Sequence, residues 1–155
     1  MTPSELKKLY IPLGKKYKLE SFEYLSDNFE IDKIDRETES LLRLIRKVMM
    51  EKIVNSVNFL EMLLNPVNAP RMYLSYARSL SQEDRKVIDE IYSALGEISL
   101  LSLDLEIDYA EKKEAEMINV IVSTWESCKP KFRKILSGVK KPASAVAKKE
   151  KSYFG

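Results

Sequence analysis

Residues 35–64 read DRETESLLRLIRKVMMEKIVNSVNFLEMLL, and the spacing of their apolar positions decides the fold. Leu42, Ile45, Met49, Ile53, Val57, Leu60 and Leu64 recur three or four residues apart, which predicts one amphipathic helix from about Asp35 to Leu64. Such a helix would be about 45 Å long. Leu41, Leu44, Val48, Phe59 and Leu63 widen the apolar stripe beyond what one neighbouring helix covers, so this element is expected to be central. Asn65-Pro66 should end it, because the residue before a proline is pushed out of the helical region.

Working outward, Ala69-Pro70 opens a short helix on which Tyr73, Tyr76, Ala77 and Leu80 share a face. Ser81-Gln82-Glu83-Asp84 caps the next, with Val87 or Ile88, Ile91, Leu95 and Ile98 inward. From Leu101 to Tyr109 apolar and polar residues alternate, as in a half-buried strand. No second strand is available to pair with it, and Ala115, Ile118, Val122 and Trp125 resume helical spacing, so a helical junction is favoured. Trp125 is expected in the core. A last short helix should run from Pro130 to Leu136 and stop at Gly138. Upstream, Thr2-Pro3-Ser4-Glu5 forms a capping box that starts a helix ending before Pro12; Leu13 to Lys16 would then turn, and Glu20 to Leu25 would form another short helix, although Tyr17-Lys18-Leu19 would also tolerate a strand. The expected class is therefore all-α: an irregular bundle of about five to six helices around the long central one.

The 155 residues, 45% of them hydrophobic, suffice for one domain, placed at residues 1–138, with residues 139–155 as a flexible basic tail. There is no histidine, which removes the usual general base, metal ligand and nucleophile partner. The single Cys128 has no partner for a disulfide and reads as structural. The amino terminus lacks a signal-like apolar run and no later stretch is long enough to span a bilayer, so a cytoplasmic, intracellular protein without membrane contact is expected. The 32% charged content is a balance also seen in proteins of thermophiles.

Charge is unevenly placed. Residues 129–155 carry nine Lys/Arg against one acid, and the rest of the chain 17 against 23. Lys140, Lys141, Lys148, Lys149 and Lys151 are candidates for contact with nucleic acid or another polyanion, joined on the long helix by Arg43, Arg46 and Lys47. Against this stands the reading of those helix cations as a solvated face, with Glu39 and Arg43 forming an i,i+4 pair. Asp104, Asp108 and Glu111, with Glu106 and Glu114 near, would share a helical face and could hold Mg²⁺ for phosphoryl transfer. Interleaved Lys112 and Lys113 argue for an ordinary charged surface instead. Tyr153 and Phe154 are candidates for docking on a partner, against the reading that they pack back onto the body of the same chain. Only the aromatic pair resembles a sliding-clamp-binding peptide, since Ala147 and Glu150 stand where such a peptide carries Gln and an aliphatic residue.

The stretch Leu42 to Ile53, with Arg46 and Lys52 and the later Leu80-Ser81-Gln82-Glu83-Asp84, resembles the helical domain of archaeal GINS replication subunits over about a third of the chain. The small β-domain of such subunits has no counterpart, and no functional residue is carried over. The leading expectation is a non-catalytic helical interaction subunit or adaptor, with a protein partner or self-association, no cofactor and no small-molecule substrate. The alternatives are a nucleic-acid-binding accessory protein using the tail and a Mg²⁺-dependent phosphoryl-transfer enzyme.

Overall fold

The computed structural model describes residues 1–139 in full and, through its last helix, only the backbone as far as Tyr153. In order the elements are α1 (Pro3–Tyr17), α2 (Phe22–Phe29), a 3-10 turn (Ile31–Lys33), α3 (Leu41–Leu64), a second 3-10 turn (Pro66–Asn68), α4 (Arg71–Ser79), α5 (Gln82–Ile107) and α6 (Glu111–Tyr153). The described residues are all-helical and contain no strand. No helix among them is long and apolar enough to cross a membrane. The chain divides into two compact units, Met1–Asn55 with Glu97–Thr124 and Ser56–Gly96 with Trp125–Gly155.

The helix starts follow local chemistry. At α1 the Thr2 side chain accepts from the Glu5 N–H while the Glu5 carboxylate accepts from the Thr2 N–H at 2.7 Å, the expected capping box. Ser21 caps α2 by accepting from the Tyr24 N–H at 3.1 Å. Ser81 and Asp84 exchange backbone-to-side-chain bonds at 3.0 and 3.2 Å at the start of α5. The start of α3 lies six residues later than expected, at Leu41, because Asp35 to Ser40 contributes no apolar position to the stripe. Helix α2 likewise begins after its cap and extends to Phe29, burying Phe22, Leu25 and Phe29.

Two expected breaks are absent. Helix α1 continues through Pro12 and Gly14 to Tyr17, and α6 continues through Pro130 and Gly138. Each proline removes a backbone bond, at a cost of about 3 kcal/mol. Both prolines are exposed, so water can take the freed carbonyl, and the buried stripe passes them without losing register. Leu6, Tyr10 and Gly14 are four apart; Trp125, Cys128, Phe132, Ile135 and Val139 are three or four apart. Gly14 serves packing, since a Cβ there would meet the Tyr10 ring at 3.1 Å. Helix α1 stops at Lys18, whose left-handed φ of 53° places the Leu19 N–H 2.9 Å from the Gly14 carbonyl. The expectation of a tail from residue 139 meets the description only at Val139, which is buried; the remainder, including Lys140, Lys141, Lys148, Lys149, Lys151, Tyr153 and Phe154, lies outside the described side chains.

In the first unit, Leu42, Ile45, Met49 and Ile53 of α3 are buried, as are Leu25 of α2, Leu6 of α1, and Ala115, Ile118 and Ile121 of α6. The second unit has an aromatic centre. Phe59 lies 6.0 Å from Tyr73 and 5.9 Å from Phe132, and Phe132 lies 6.4 Å from Trp125, ring to ring. Leu60, Leu63, Ile88, Ile91 and Leu95 complete its core. Cys128 is buried there, and burial pushes its thiol pKa up, away from a reactive thiolate. Because Trp125 is 7% exposed and its ring packs at a tilt against Phe132, Trp125→Ala should destabilise the protein by about 3–5 kcal/mol. Urea unfolding measures this directly, and an unchanged midpoint would place the indole outside the core.

Candidate functional site

A charge sits in the second turn of α3, within the long apolar stripe. Arg46 follows Ile45 and precedes Met49 on the inward side of α3, so helical geometry carries its side chain into the core, where it is 1% exposed. On α6, Glu114 occupies the equivalent position, one turn before Ile118, and is 0% exposed. The two meet as a fork. Arg46 Nε donates to Glu114 Oε2 at 2.5 Å and Nη2 to Glu114 Oε1 at 3.4 Å. From α5, Ser102 Oγ accepts from Nη1 at 2.6 Å and Glu106 Oε1 from Nη2 at 2.7 Å. One guanidinium therefore joins three helices of the first unit.

Neighbouring cations finish the cluster. Lys47 Nζ lies 3.0 Å from Glu106 Oε2. Arg43 Nη2 donates to the carbonyls of Leu105 and Glu106 at 3.3 and 3.1 Å, and its guanidinium stands 5.8 Å over the Tyr109 ring. These carbonyls belong to the last turn of α5, where no helical N–H follows to satisfy them. The expected Glu39–Arg43 pair cannot form within a helix, because Glu39 precedes α3. Burial alone would lower the Arg46 pKa, but the bonds from Glu114 and Glu106 outweigh it and raise it. The Arg46 hydrogen bond, helped by Lys47 and opposed by partial burial, holds the Glu106 carboxyl down at about 2.

Of the cations proposed to meet phosphate, Arg43, Arg46 and Lys47 are all turned onto carboxylates or carbonyls of the same chain. The acidic group is also dispersed. Helix α5 ends at Ile107, so Asp104 shares no helical face with Asp108 or Glu111. Glu111 accepts from Tyr17 and Lys16 at 2.6 and 2.9 Å. No group of three or more metal-binding side chains that could hold an ion occurs among the described residues.

The inward setting of Ser102 has a counterpart on the other side of α5. Leu100, Leu103 and Ile107, spaced i, i+3 and i+7, are 71%, 63% and 77% exposed, while Ser102 is 6% exposed. Leu101 and Tyr109 are also open to solvent. The strand-like alternation that begins at Leu101 is thus helical as far as Ile107, with Leu103 and Ile107 on the outer face of the helix. Beside it, a groove of about 660 Å³ runs between α3 and α5, lined by Met50, Val54 and Leu103 and edged by Lys47, Glu51 and Glu106.

Sequence reasoning singled out Arg46 but not Ser102, and it took Glu106 and Glu114 as neighbours of a metal site. The usable signal was one charge of opposite sign in each of two apolar stripes, Arg46 between Leu42 and Met49 and Glu114 before Ile118 and Ile121.

Replacing Arg46 with Met should cost about 3–5 kcal/mol, because Glu114 is left buried and uncompensated, and replacing both Arg46 and Glu114 with Met should restore most of that loss. A double-mutant cycle by denaturant unfolding checks it, and additive effects would dissolve the pair. The depressed Glu106 pKa sets a sign as well. Its stabilising contribution is complete above the unfolded value near 4.3 and is lost as pH falls through about 2. The stability gap between wild type and Glu106→Gln should therefore narrow as the pH is lowered across that window; a constant gap would contradict it.

Comparison with known proteins adds no relative: no family model, curated protein or solved structure matches the chain, so the GINS likeness gains no support.

Proposed function

We propose that the chain is a non-catalytic helical interaction subunit, an adaptor in a larger assembly, and that the outer face of α5 in the first unit receives a protein partner. One observation carries this reading: over residues 100–107 the helix buries a serine and exposes three large aliphatic side chains of one face. A folded chain that places leucines outward beside an apolar groove forgoes roughly 1.5–3 kcal/mol for each side chain it leaves unburied. Contiguous apolar surface of this kind, rimmed by charge, marks protein contact sites.

Polyanion binding draws less support from this site. Its three helix cations are engaged within the chain, and its remaining candidates, the lysines from Lys140 to Lys151, lie outside the described side chains.

The test is the Leu100→Glu/Leu103→Glu double variant. Its melting temperature should stay within a few degrees of wild type, since both positions are exposed, while a partner that co-purifies with wild-type protein from the native cell is lost. A large drop in melting temperature would show that the leucines belong to the fold, and an unchanged set of partners would remove α5 as the docking face.

A further inference from the structure

We infer that the occupant of the α5 face is a basic amphipathic helix of a protein partner; the inference rests on the interaction reading above and adds the chemistry of the partner. Every charged residue from Glu97 to Asp108 is acidic: Glu97, Asp104, Glu106 and Asp108. Glu106 is committed to Arg46 and Lys47. Glu97, Asp104 and Asp108 are exposed, and no salt bridge among the described residues engages them. Glu97 and Asp104 lie along one edge of the stripe of Leu100, Leu103 and Ile107, and Asp108 follows its last residue, so the surface combines an apolar ridge with unneutralised negative charge. Leu100 and Ile107 are seven residue steps apart, about 10 Å of helix, which matches two turns of a partner helix presenting apolar anchors at i, i+3 or i+4, and i+7. Lys and Arg beside those anchors would meet the carboxylates and speed association. A second copy of this chain fits less well, because pairing two such faces brings acidic flanks together without a cation in the segment.

The probes are synthetic helices of about 18 residues, long enough to hold helical structure. One carries leucines at i, i+3/i+4 and i+7 with lysines on the flanks; the second keeps the leucines and replaces every lysine with glutamate; a third is the peptide of residues 140–155. Each is titrated into the full-length protein by fluorescence anisotropy at low and at physiological salt. The basic helix should bind at least about tenfold tighter than the acidic one, lose affinity with salt, and lose about tenfold with Leu103→Glu protein. Asp104→Lys/Asp108→Lys should erase the preference for the basic helix while the apolar contribution persists. Equal binding of the basic and acidic helices would overturn the inference but leave the interaction reading standing, provided Leu103→Glu still weakens both. Preferential binding of the 140–155 peptide, or a stable dimer in light scattering that Leu103→Glu dissociates, would overturn it by making this chain its own occupant.

Discussion

A guanidinium cannot be left bare in an apolar core. Arg46 sits at 1% exposure, and removing such a charge from water costs several kcal/mol unless carboxylates and hydrogen-bond acceptors surround it. Its partners come from different parts of the sequence: Glu114 on α6 supplies the paired oxygens, and Ser102 with Glu106, one turn apart on α5, supplies the rest. Rotating α5 by one residue would withdraw Ser102 and Glu106 together and leave donors of Arg46 unsatisfied. The cluster therefore selects one rotational setting of α5 in the first unit. Its value is in that selection, because an apolar core of equal volume could be as stable or more so.

The same setting decides what α5 shows to solvent. With Ser102 and Leu105 inward, Leu100, Leu103 and Ile107 point out. An ordinary amphipathic helix would bury leucines and expose the serine. Here polar satisfaction and apolar exposure are two sides of one helix, and the surface that results is the proposed contact face. Arg43 closes the arrangement by accepting none and donating to the final carbonyls of α5, where the chain turns toward α6.

Much of the fold could be read in the residues because it depends on local pattern. The capping boxes at Thr2 and Ser81, the stripe of α3 and the resumption of helical spacing after Ala115 are short-range signals of backbone satisfaction and amphipathicity. Pro12 and Pro130 misled because proline is a local penalty, whereas the packing that outweighs it at exposed positions is tertiary. At residues 101–109 the alternation looked like a strand since apolar side chains on an outer face break the helical pattern that burial imposes. The site was harder still. Arg46 was legible as a cation, but that it is buried, and buried against Glu114, depends on two residues 68 positions apart. The orientation of Ser102 carries no local signal.

The rotational setting of α5 can be measured by thiol reactivity. In a Cys128→Ser background, single cysteines replace Leu103, which is 63% exposed, or Leu105, which is 8% exposed, and their alkylation rates are followed under native conditions. Cysteine at 103 should react near the rate of a free thiol and cysteine at 105 far more slowly, and adding Arg46→Met should raise the rate at 105 and shrink the difference. Equal rates at the two positions, or a difference that survives the loss of Arg46 unchanged, would contradict the claim that the buried guanidinium fixes which face of α5 meets its surroundings.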